Sequence, residues 1–287
     1  MTERIKKPDW LRKKIFESPR KREVLELLER RKLNTVCQGA KCPNLCECFD
    51  RGTATFMIMG SNCTRRCSFC AVGKGCPTPI DSNEPIQVAE AVAELHLKHS
   101  VITSVTRDDL PDGGASHFAK TIQQIRKLSP ETVIEILTPD FGGNLELLQL
   151  FEKNLPDIFN HNLETVPRLY SIRPAASYTR SLEFLAEVKK LYPAILTKSG
   201  LMVGLGETAE EINSVMSDLR KAECDIISIG QYLSPGLGNT PVVEYITPEQ
   251  FDSYSVNAKS LGFKAVFSGP FVRSSYMADL VNIKKKS

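Results

Sequence analysis

Seven of the chain's nine cysteines fall between positions 37 and 70, and six of those seven keep two regular spacings. Cys37, Cys42 and Cys48 form a CxxxxCxxxxxC triad, and Cys63, Cys67 and Cys70 form a CxxxCxxC triad. Grouped thiolates are metal ligands, and the number in a group decides the chemistry it suits. A structural zinc site closes a tetrahedron with four protein ligands, and a [4Fe–4S] cluster used for electron transfer has four thiolates. Three cysteines leave one iron of a cubane without protein sulfur, so a substrate, a cofactor or a distant residue has to complete it. The competing reading, a zinc ribbon, needs a fourth Cys or His at short spacing. No histidine lies near either triad.

The rest of the chain must position these thiolates. At 287 residues it has the length of one large α/β domain. Apolar residues make up 41% and charged residues 25%, which is ordinary for a soluble globule. A net charge of +3 is too small to imply nucleic acid as a partner. The opening stretch MTERIKKPDWLRKK is charged, and no run of eighteen apolar residues follows it, so neither a leader nor a membrane span is expected. An odd number of cysteines in a chain of this size reads as ligands in a reducing cytoplasm rather than as a disulfide frame.

The order of elements follows from periodicity. Residues 1–19 read as a basic, irregular arm, and 20–32 as an amphipathic helix with Val24, Leu25, Leu27 and Leu28 on one stripe. Residues 53–59, TATFMIM, read as the first strand, ending at Gly60 with the CxxxCxxC loop just beyond. Helices over 86–98, 115–128, 143–154, 178–191 and 208–222 then alternate with strands over 100–106, 132–137, 157–161, 195–203 and 225–230. Capping boxes are expected at Thr208 with Glu211 and at Thr247 with Gln250. A helix over 248–260 and a short strand near 263–268 close the pattern. Six βα units predict an α/β fold, a partial (β/α)6 TIM-type barrel, with the active site at the C-terminal ends of its strands.

On these residues the chain resembles a known family. The CxxxCxxC loop with Phe69 before its last cysteine is similar to the signature of radical S-adenosylmethionine (SAM) enzymes, whose open iron chelates SAM. The stretches Cys37–Cys48, GTATFMIMG (52–60), ITSVTRDDLPDGGA (102–115), EILTPDF (135–141), FNHNLETVPRLY (159–170), TKSGLMVGLGE (197–207), GQYLSP (230–235) and GPFVRSSY (269–276) closely resemble the lipoyl synthase family, from about Lys7 to Ala278. The resemblance implies an N-terminal extension (1–52), a radical SAM partial barrel (53–268) and a C-terminal tail (269–287), the extensions holding an auxiliary iron–sulfur cluster.

It also implies an activity. In the family the cluster on the residues matching Cys63, Cys67 and Cys70 cleaves SAM to a 5′-deoxyadenosyl radical. That radical abstracts hydrogen at C6 and C8 of an octanoyl chain carried on a lysine of a carrier domain. The second cluster, matching Cys37, Cys42 and Cys48, is consumed as sulfur donor. Its fourth ligand is a serine of RSSY, here Ser274 or Ser275, with Ser275 preferred. The implied partners are an octanoylated lipoyl domain of a 2-oxoacid dehydrogenase E2 or the glycine-cleavage H protein, reduced ferredoxin or flavodoxin as electron donor, and an iron–sulfur assembly carrier. The chemistry is coherent, because an unactivated C–H bond offers nothing for acid–base catalysis and a cofactor has to supply the reactive species.

Other positions carry weaker signals. Asn162 and Glu164 alternate after the 157–161 strand and could hydrogen-bond the SAM ribose, or form a polar pair at the edge of the core. Arg173 is a candidate for the SAM carboxylate, against a surface ion pair. Thr103, Ser104 and Asp109 are candidates for the adenosyl pocket or the strand-end loops, and His161 reads as a structural residue. Gly204-Leu-Gly206-Glu207 lacks the dinucleotide pattern. Cys46 stands where the family usually carries glycine, as a passenger thiol or an alternative ligand. Cys76 and Cys224 read as isolated thiols, and GLGNTPV (236–242) lacks the histidine typical before its proline. Another SAM-dependent sulfur inserter or a radical methylthiolase would leave RSSY and the first triad unexplained. An iron–sulfur scaffold or electron carrier would need no SAM pocket.

Overall fold

Helices begin where a hydroxyl caps an apolar stripe. In the computed structural model, which describes residues 5–13, 17–51 and 54–281, α1 (Pro19–Arg30) starts at Ser18. The Ser18 hydroxyl accepts from the Lys21 amide, and the helix buries Val24, Leu27 and Leu28. The cysteine-rich stretch contains β1 (Asn34–Thr35), α2 (Val36–Gly39), α3 (Leu45–Asp50), β2 (Thr55–Ile58), β3 (Asn62–Cys63) and β4 (Gly73–Lys74). Then come α4 (Glu84–Glu94), β5 (His99–Ser104), α5 (Ala115–Leu128), β6 (Val133–Leu137), β7 (Ile158–Asn160), α6 (Tyr178–Leu191), β8 (Leu196–Val203), α7 (Ala209–Lys221), β9 (Ile226–Gln231), α8 (Pro248–Ser260) and β10 (Ala265–Gly269). Thr53, expected to open the first strand, the 52/53 boundary, the first residues of the basic arm and the tail beyond 281 lie outside the described residues.

The six expected βα strands are present. The helix expected over 143–154 is not an α-helix. Two 3₁₀ segments, Phe141–Gly143 and Leu145–Phe151, stand there instead. Gly142 and Gly143 adopt φ of +68° and +88°, which no α-helix accommodates. Leu148 and Phe151, the two buried residues of the second segment, are three apart and so eclipse at three residues per turn. At Thr208 both halves of the capping box form. At Thr247 the hydroxyl accepts from the Gln250 amide, while the Gln250 side chain bonds Tyr254.

By compactness the chain divides into two units. One comprises Ile15–Arg65, Val72–Phe159 and Ser275–Ser287, and the other Met1–Lys14, Arg66–Ala71 and Asn160–Ser274. In the first, the β2 unit, β1 pairs antiparallel with β2, and β2, β5 and β6 run parallel. Its core contains a chain of rings, Phe118, Phe141, Phe151 and Phe159, with successive centroids 6.4, 6.2 and 5.3 Å apart. Where β2 ends, Met59 (φ +66°) and Gly60 (φ +93°) turn the backbone sharply towards Cys63. The Met59 amide donates to the Glu84 carboxylate at 2.8 Å, and His117 Nε2 lies 2.7 Å from the same oxygen.

In the second, the β8 unit, β8, β9 and β10 are parallel. All six residues of β9 are buried, as expected of a strand covered on both faces. Leu163, Leu185, Leu201, Ile212, Leu219 and Phe251 belong to its core cluster. Asp225 lies at the start of β9, within 2.8 Å of Lys189 Nζ and 2.7 Å of Lys264 Nζ, and accepts from the Thr197 amide at 3.0 Å. Burial works against its charge, but these donors outweigh it and hold the carboxyl below the usual carboxylate range.

A folded-state pKa below the unfolded one stabilises above the ordinary carboxylate range, and that stability is lost as pH falls through the lower, folded value. Asp225→Asn is therefore expected to lower stability at pH 7 by about 1.5–3 kcal/mol and to flatten the acid side of the stability profile. Denaturant midpoints at pH 7 and pH 3 check this, the difference between variant and wild type shrinking at the lower pH.

Candidate metal and cofactor sites

In the β2 unit the first triad is built around Thr55. This residue opens β2, and both its backbone and its side chain hydrogen-bond Cys37. The Thr55 hydroxyl also donates to Ser275 Oγ at 2.9 Å. Cys37 sits in α2, whose cap is Thr35, and its thiol is pushed up to about 11, chiefly by burial, with the Cys42 thiol adding in the same direction. Cys48 lies on α3 and is held by a bond from its amide to Asn44 O at 2.9 Å. The tail is clipped to α3 twice, by Tyr276 Oη donating to Glu47 at 2.8 Å and by Arg51 to Asp279 at 2.7 Å. Tyr276 is raised to about 12, by burial first, then by Glu47 and by the Cys48 thiol. Cys37, Cys42, Cys48 and Ser275 are thus brought into one neighbourhood, by contacts 220 residues apart in sequence.

Every cysteine is a free thiol. Among the described residues no three His, Cys, Asp or Glu converge on a point where a single metal ion could sit. A cubane makes a different demand, since each thiolate takes its own iron and the ligands surround a volume. Cys46 turns elsewhere: its thiol hydrogen-bonds Lys21 of α1.

The CxxxCxxC motif is shared between the units and is described within each. In the β2 unit Cys63 ends β3, and its sulfur accepts from the Thr106 amide at 3.3 Å. Arg65, beside it in sequence, is buried and reaches Asp108 at 2.8 Å and Asp140 at 2.6 Å. Burial opposes its charge, but the two carboxylates outweigh that and raise its pKa. In the β8 unit Cys67 and Cys70 span a turn closed by Cys70 N to Cys67 O at 3.2 Å, with Phe69 half-buried on it.

The same unit gathers the residues proposed for SAM. Asn162 Nδ2 donates to Glu164 Oε1 at 3.0 Å and to Ser274 Oγ at 2.6 Å. Arg173 Nη1 donates to the carbonyls of Asn162 and Leu163 and to Tyr170 Oη at 3.1, 2.9 and 2.7 Å. Asn162 and Glu164 meet through a turn rather than by strand alternation, because β7 ends at Asn160 and Glu164 is left-handed at φ +68°. Its backbone is laced to β8, the amide to Gly200 O at 2.9 Å and the carbonyl from Met202 N at 2.8 Å. Burial raises the Glu164 carboxyl, against the Arg173 charge and the Asn162 bond.

Gly200 faces this group. A Cβ there would stand 2.7 Å from Asn162 Oδ1 and 3.0 Å from both Ser228 Oγ and Ser274 Oγ. Asn162 Oδ1 and Arg173 Nε are buried and have no hydrogen-bond partner among the described residues. A buried acceptor beside a missing Cβ, with a buried donor and a carboxylate on the residues bonded to Asn162, fits a ligand carrying hydroxyls and a carboxylate, as SAM does.

Of the remaining candidates Ser104 keeps a buried hydroxyl with no partner among the described residues, and the others are otherwise engaged. Thr103 Oγ1 donates to Leu137 O at 2.9 Å, and Asp109 pairs with Arg107 at 2.9 Å, both within the β2 unit, where Ser104 also lies. His161 is structural, with Nε2 3.0 Å from Ser181 Oγ and its ring against Phe184. Glu207 turns back on its own segment to accept from Gly204 N and Leu205 N. Cys224 is fully buried and raised to about 12 by that burial, and Cys76 is exposed. Sequence reasoning missed Thr55, whose one signal is a hydroxyl in an otherwise apolar strand, and it missed Arg65.

The comparisons match these features. The model of the Radical SAM superfamily matches residues 57–219. The lipoyl synthase of Caldanaerobacter subterraneus subsp. tengcongensis is 58% identical over 277 residues, 96% of this chain and 97% of that protein. Among solved structures, methylornithine synthase (PylB) aligns with TM-score 0.55 at 13% identity, over 94% of this chain and 86% of its own. Streptococcus suis SuiB bound to S-adenosylmethionine aligns with TM-score 0.57 at 10% identity, over 78% of this chain; the match spans 54% of SuiB. At these identities the structures show a shared α/β fold with a mostly parallel sheet.

Arg65→Ala would leave Asp140, itself fully buried, without its cation. Breaking such a pair is expected to cost about 3–5 kcal/mol. Urea unfolding of the iron-free protein measures the loss, and a change below 1 kcal/mol would show that the buried pair contributes little.

Proposed function

Because the chain belongs to the lipoyl synthase family of radical SAM enzymes, we propose that it inserts two sulfur atoms, at C6 and C8, into an octanoyl group amide-linked to a lysine of a carrier domain. The observation that carries this reading is the meeting at Thr55 of Cys37 and the distant Ser275. It supports a second cluster with three thiolates and one hydroxyl. Cys37, Cys42, Cys48 and Ser275 would hold that cluster, and Cys63, Cys67 and Cys70 the other. When bound, the clusters supply an electron to SAM at the one and sulfur to the substrate at the other.

The protein's own residues do the rest. Asn162 and Glu164 accept the ribose hydroxyls of SAM, and Arg173 Nε faces its carboxylate. Thr55 orients the Ser275 hydroxyl, and the Tyr276 and Asp279 clips hold the tail so that this oxygen stays in place. A serine oxygen is a poorer iron ligand than sulfur, so it suits a position meant to be released. We retain the functional division into an extension (1–52), a barrel (53–268) and a tail (269–287). The carrier would be a lipoyl domain or the glycine-cleavage H protein, with ferredoxin or flavodoxin as reductant, an iron–sulfur carrier to rebuild the spent cluster, and the cytoplasm as setting. Among the described residues no helix is long and apolar enough to cross a membrane.

Cys67→Ala is expected to abolish 5′-deoxyadenosine formation. Cys42→Ala is expected to keep that step and lose sulfur insertion. Mass spectrometry of an octanoylated lipoyl domain should show a gain of two sulfurs with the wild type and none with either variant. Lipoyl product from Cys42→Ala would remove the donor role. Gly200→Ala places a methyl group in the cradle and is expected to weaken SAM binding by about tenfold or more, the cost of displacing two hydrogen-bonding side chains. Equilibrium binding of SAM to the reconstituted protein checks that result.

A further inference from the structure

The turn that carries Cys67 and Cys70 belongs to no helix or strand, so something else must hold it. A second loop of the same unit does. Asn239 Nδ2 donates to the carbonyls of Ser68 and Cys70 at 3.0 and 3.1 Å. The Thr240 amide donates to Ser68 O at 3.0 Å, and the Thr240 and Ser68 hydroxyls are 2.6 Å apart. From the other side, the Ser68 amide donates to Ile172 O at 2.9 Å, next to Arg173.

The clamping loop is itself anchored. Tyr232, buried at the end of β9, donates from its hydroxyl to Thr240 O at 2.7 Å, and Asn239 N closes a turn onto Gly236 O at 3.3 Å. Two peptide carbonyls flanking Phe69 therefore share the two N–H groups of one side-chain amide. An aspartate of the same shape would present acceptors to acceptors.

We propose that Asn239 and Thr240 are positioning residues for the iron–sulfur loop. They fix the Cys67–Cys70 turn in the one conformation that presents both thiolates. This inference rests on the assignment of Cys63, Cys67 and Cys70 as cluster ligands. Its consequences are separable from that assignment, because the clamp touches carbonyls and a hydroxyl rather than sulfur. An aspartate at 239 would put a negative charge beside the turn, and negative charge near a cluster disfavours its reduced, more negative state. Asn239→Asp should therefore make reduction harder as well as loosening the loop.

The test uses the full chain, reconstituted with iron and sulfide, as wild type and as Asn239→Asp, Asn239→Ala and Thr240→Val. In Asn239→Asp, chelator-driven iron loss from the Cys63/Cys67/Cys70 cluster should be on the order of tenfold faster, as expected when a pair of hydrogen bonds is deleted. The other cluster should lose iron at the wild-type rate. The midpoint potential of the first cluster should move to more negative values, and kcat for 5′-deoxyadenosine formation should fall while KM for SAM holds. In the iron-free protein the Ser68 and Thr240 amides should exchange hydrogen faster. Asn239→Ala and Thr240→Val should shift the same quantities less, and they carry the test if the aspartate variant does not fold. Wild-type iron loss and wild-type potential in folded Asn239 variants would overturn the clamp and leave the cluster assignment standing. Equal iron content in wild type and Cys67→Ala would overturn the assignment itself, and the clamp with it.

Discussion

A thiolate shut away from water is costly unless something positive takes its charge, and this constraint separates the cysteines of this chain. Cys37 and Cys224 are both buried, and burial raises both thiols. Their neighbours differ. Cys224 lies against the ends of β8 and β9, where its S–H donates to the Ile226 carbonyl at 3.4 Å and the Ile226 backbone and Thr197 side chain bond it as well. Cys37 is bonded by the Thr55 backbone and side chain, the Cys42 thiol pushes it up further, and the Thr55 hydroxyl reaches Ser275. Burial without a cation therefore penalises ionisation at both, and under the proposed assignment iron would take the charge at Cys37. Metal binding and ordering of the α2–α3 segment are expected to be one event for that reason.

The same logic extends to the tail. Ser274 and Ser275 are adjacent, yet their hydroxyls serve different partners. Ser274 accepts from Asn162, beside Glu164, and Ser275 accepts from Thr55, beside Cys37. The two serines lie in a turn beyond β10, and each hydroxyl has its own partner. Neither serine is an interchangeable spare for the other.

Much of this was legible from residue types and spacing. The cysteine triads, the alternation of strands with helices, the cap at Thr208 and the isolation of Cys224 follow from local rules, and the structure carries them. What local rules do not reach are polar pairings between distant segments. Thr55 meets Ser275 across 220 residues and Asn239 meets Ser68 across 171, with no periodicity to announce either. The 141–151 stretch misled for a different reason. Its leucines suit an α-helix, but two left-handed glycines at its start and burial at every third residue favour the tighter 3₁₀ form.

Backbone strain shows where the structure concentrates its demands. β2 leaves its sheet through left-handed Met59, the segment after β7 reaches left-handed Glu164, and β8 leaves through Gly204 at φ +96°. At Gly204 the turn is free of steric cost, whereas at each of the other two it costs about 1–2 kcal/mol. Those two are the positions where the local structure supplies compensation. The Met59 amide is met by the Glu84 carboxylate and its carbonyl by Arg107, and the Glu164 backbone is bonded to β8 on both sides. A glycine would relieve the strain at Glu164 but would remove the carboxylate that accepts from Asn162. At Met59 the side chain has its own use, since its sulfur fills the space above Gly114, where a Cβ would stand 2.3 Å away. At Met59 and Glu164 a left-handed side chain is thus kept beyond the end of a strand, and the bonds around each are what allow it to stay there.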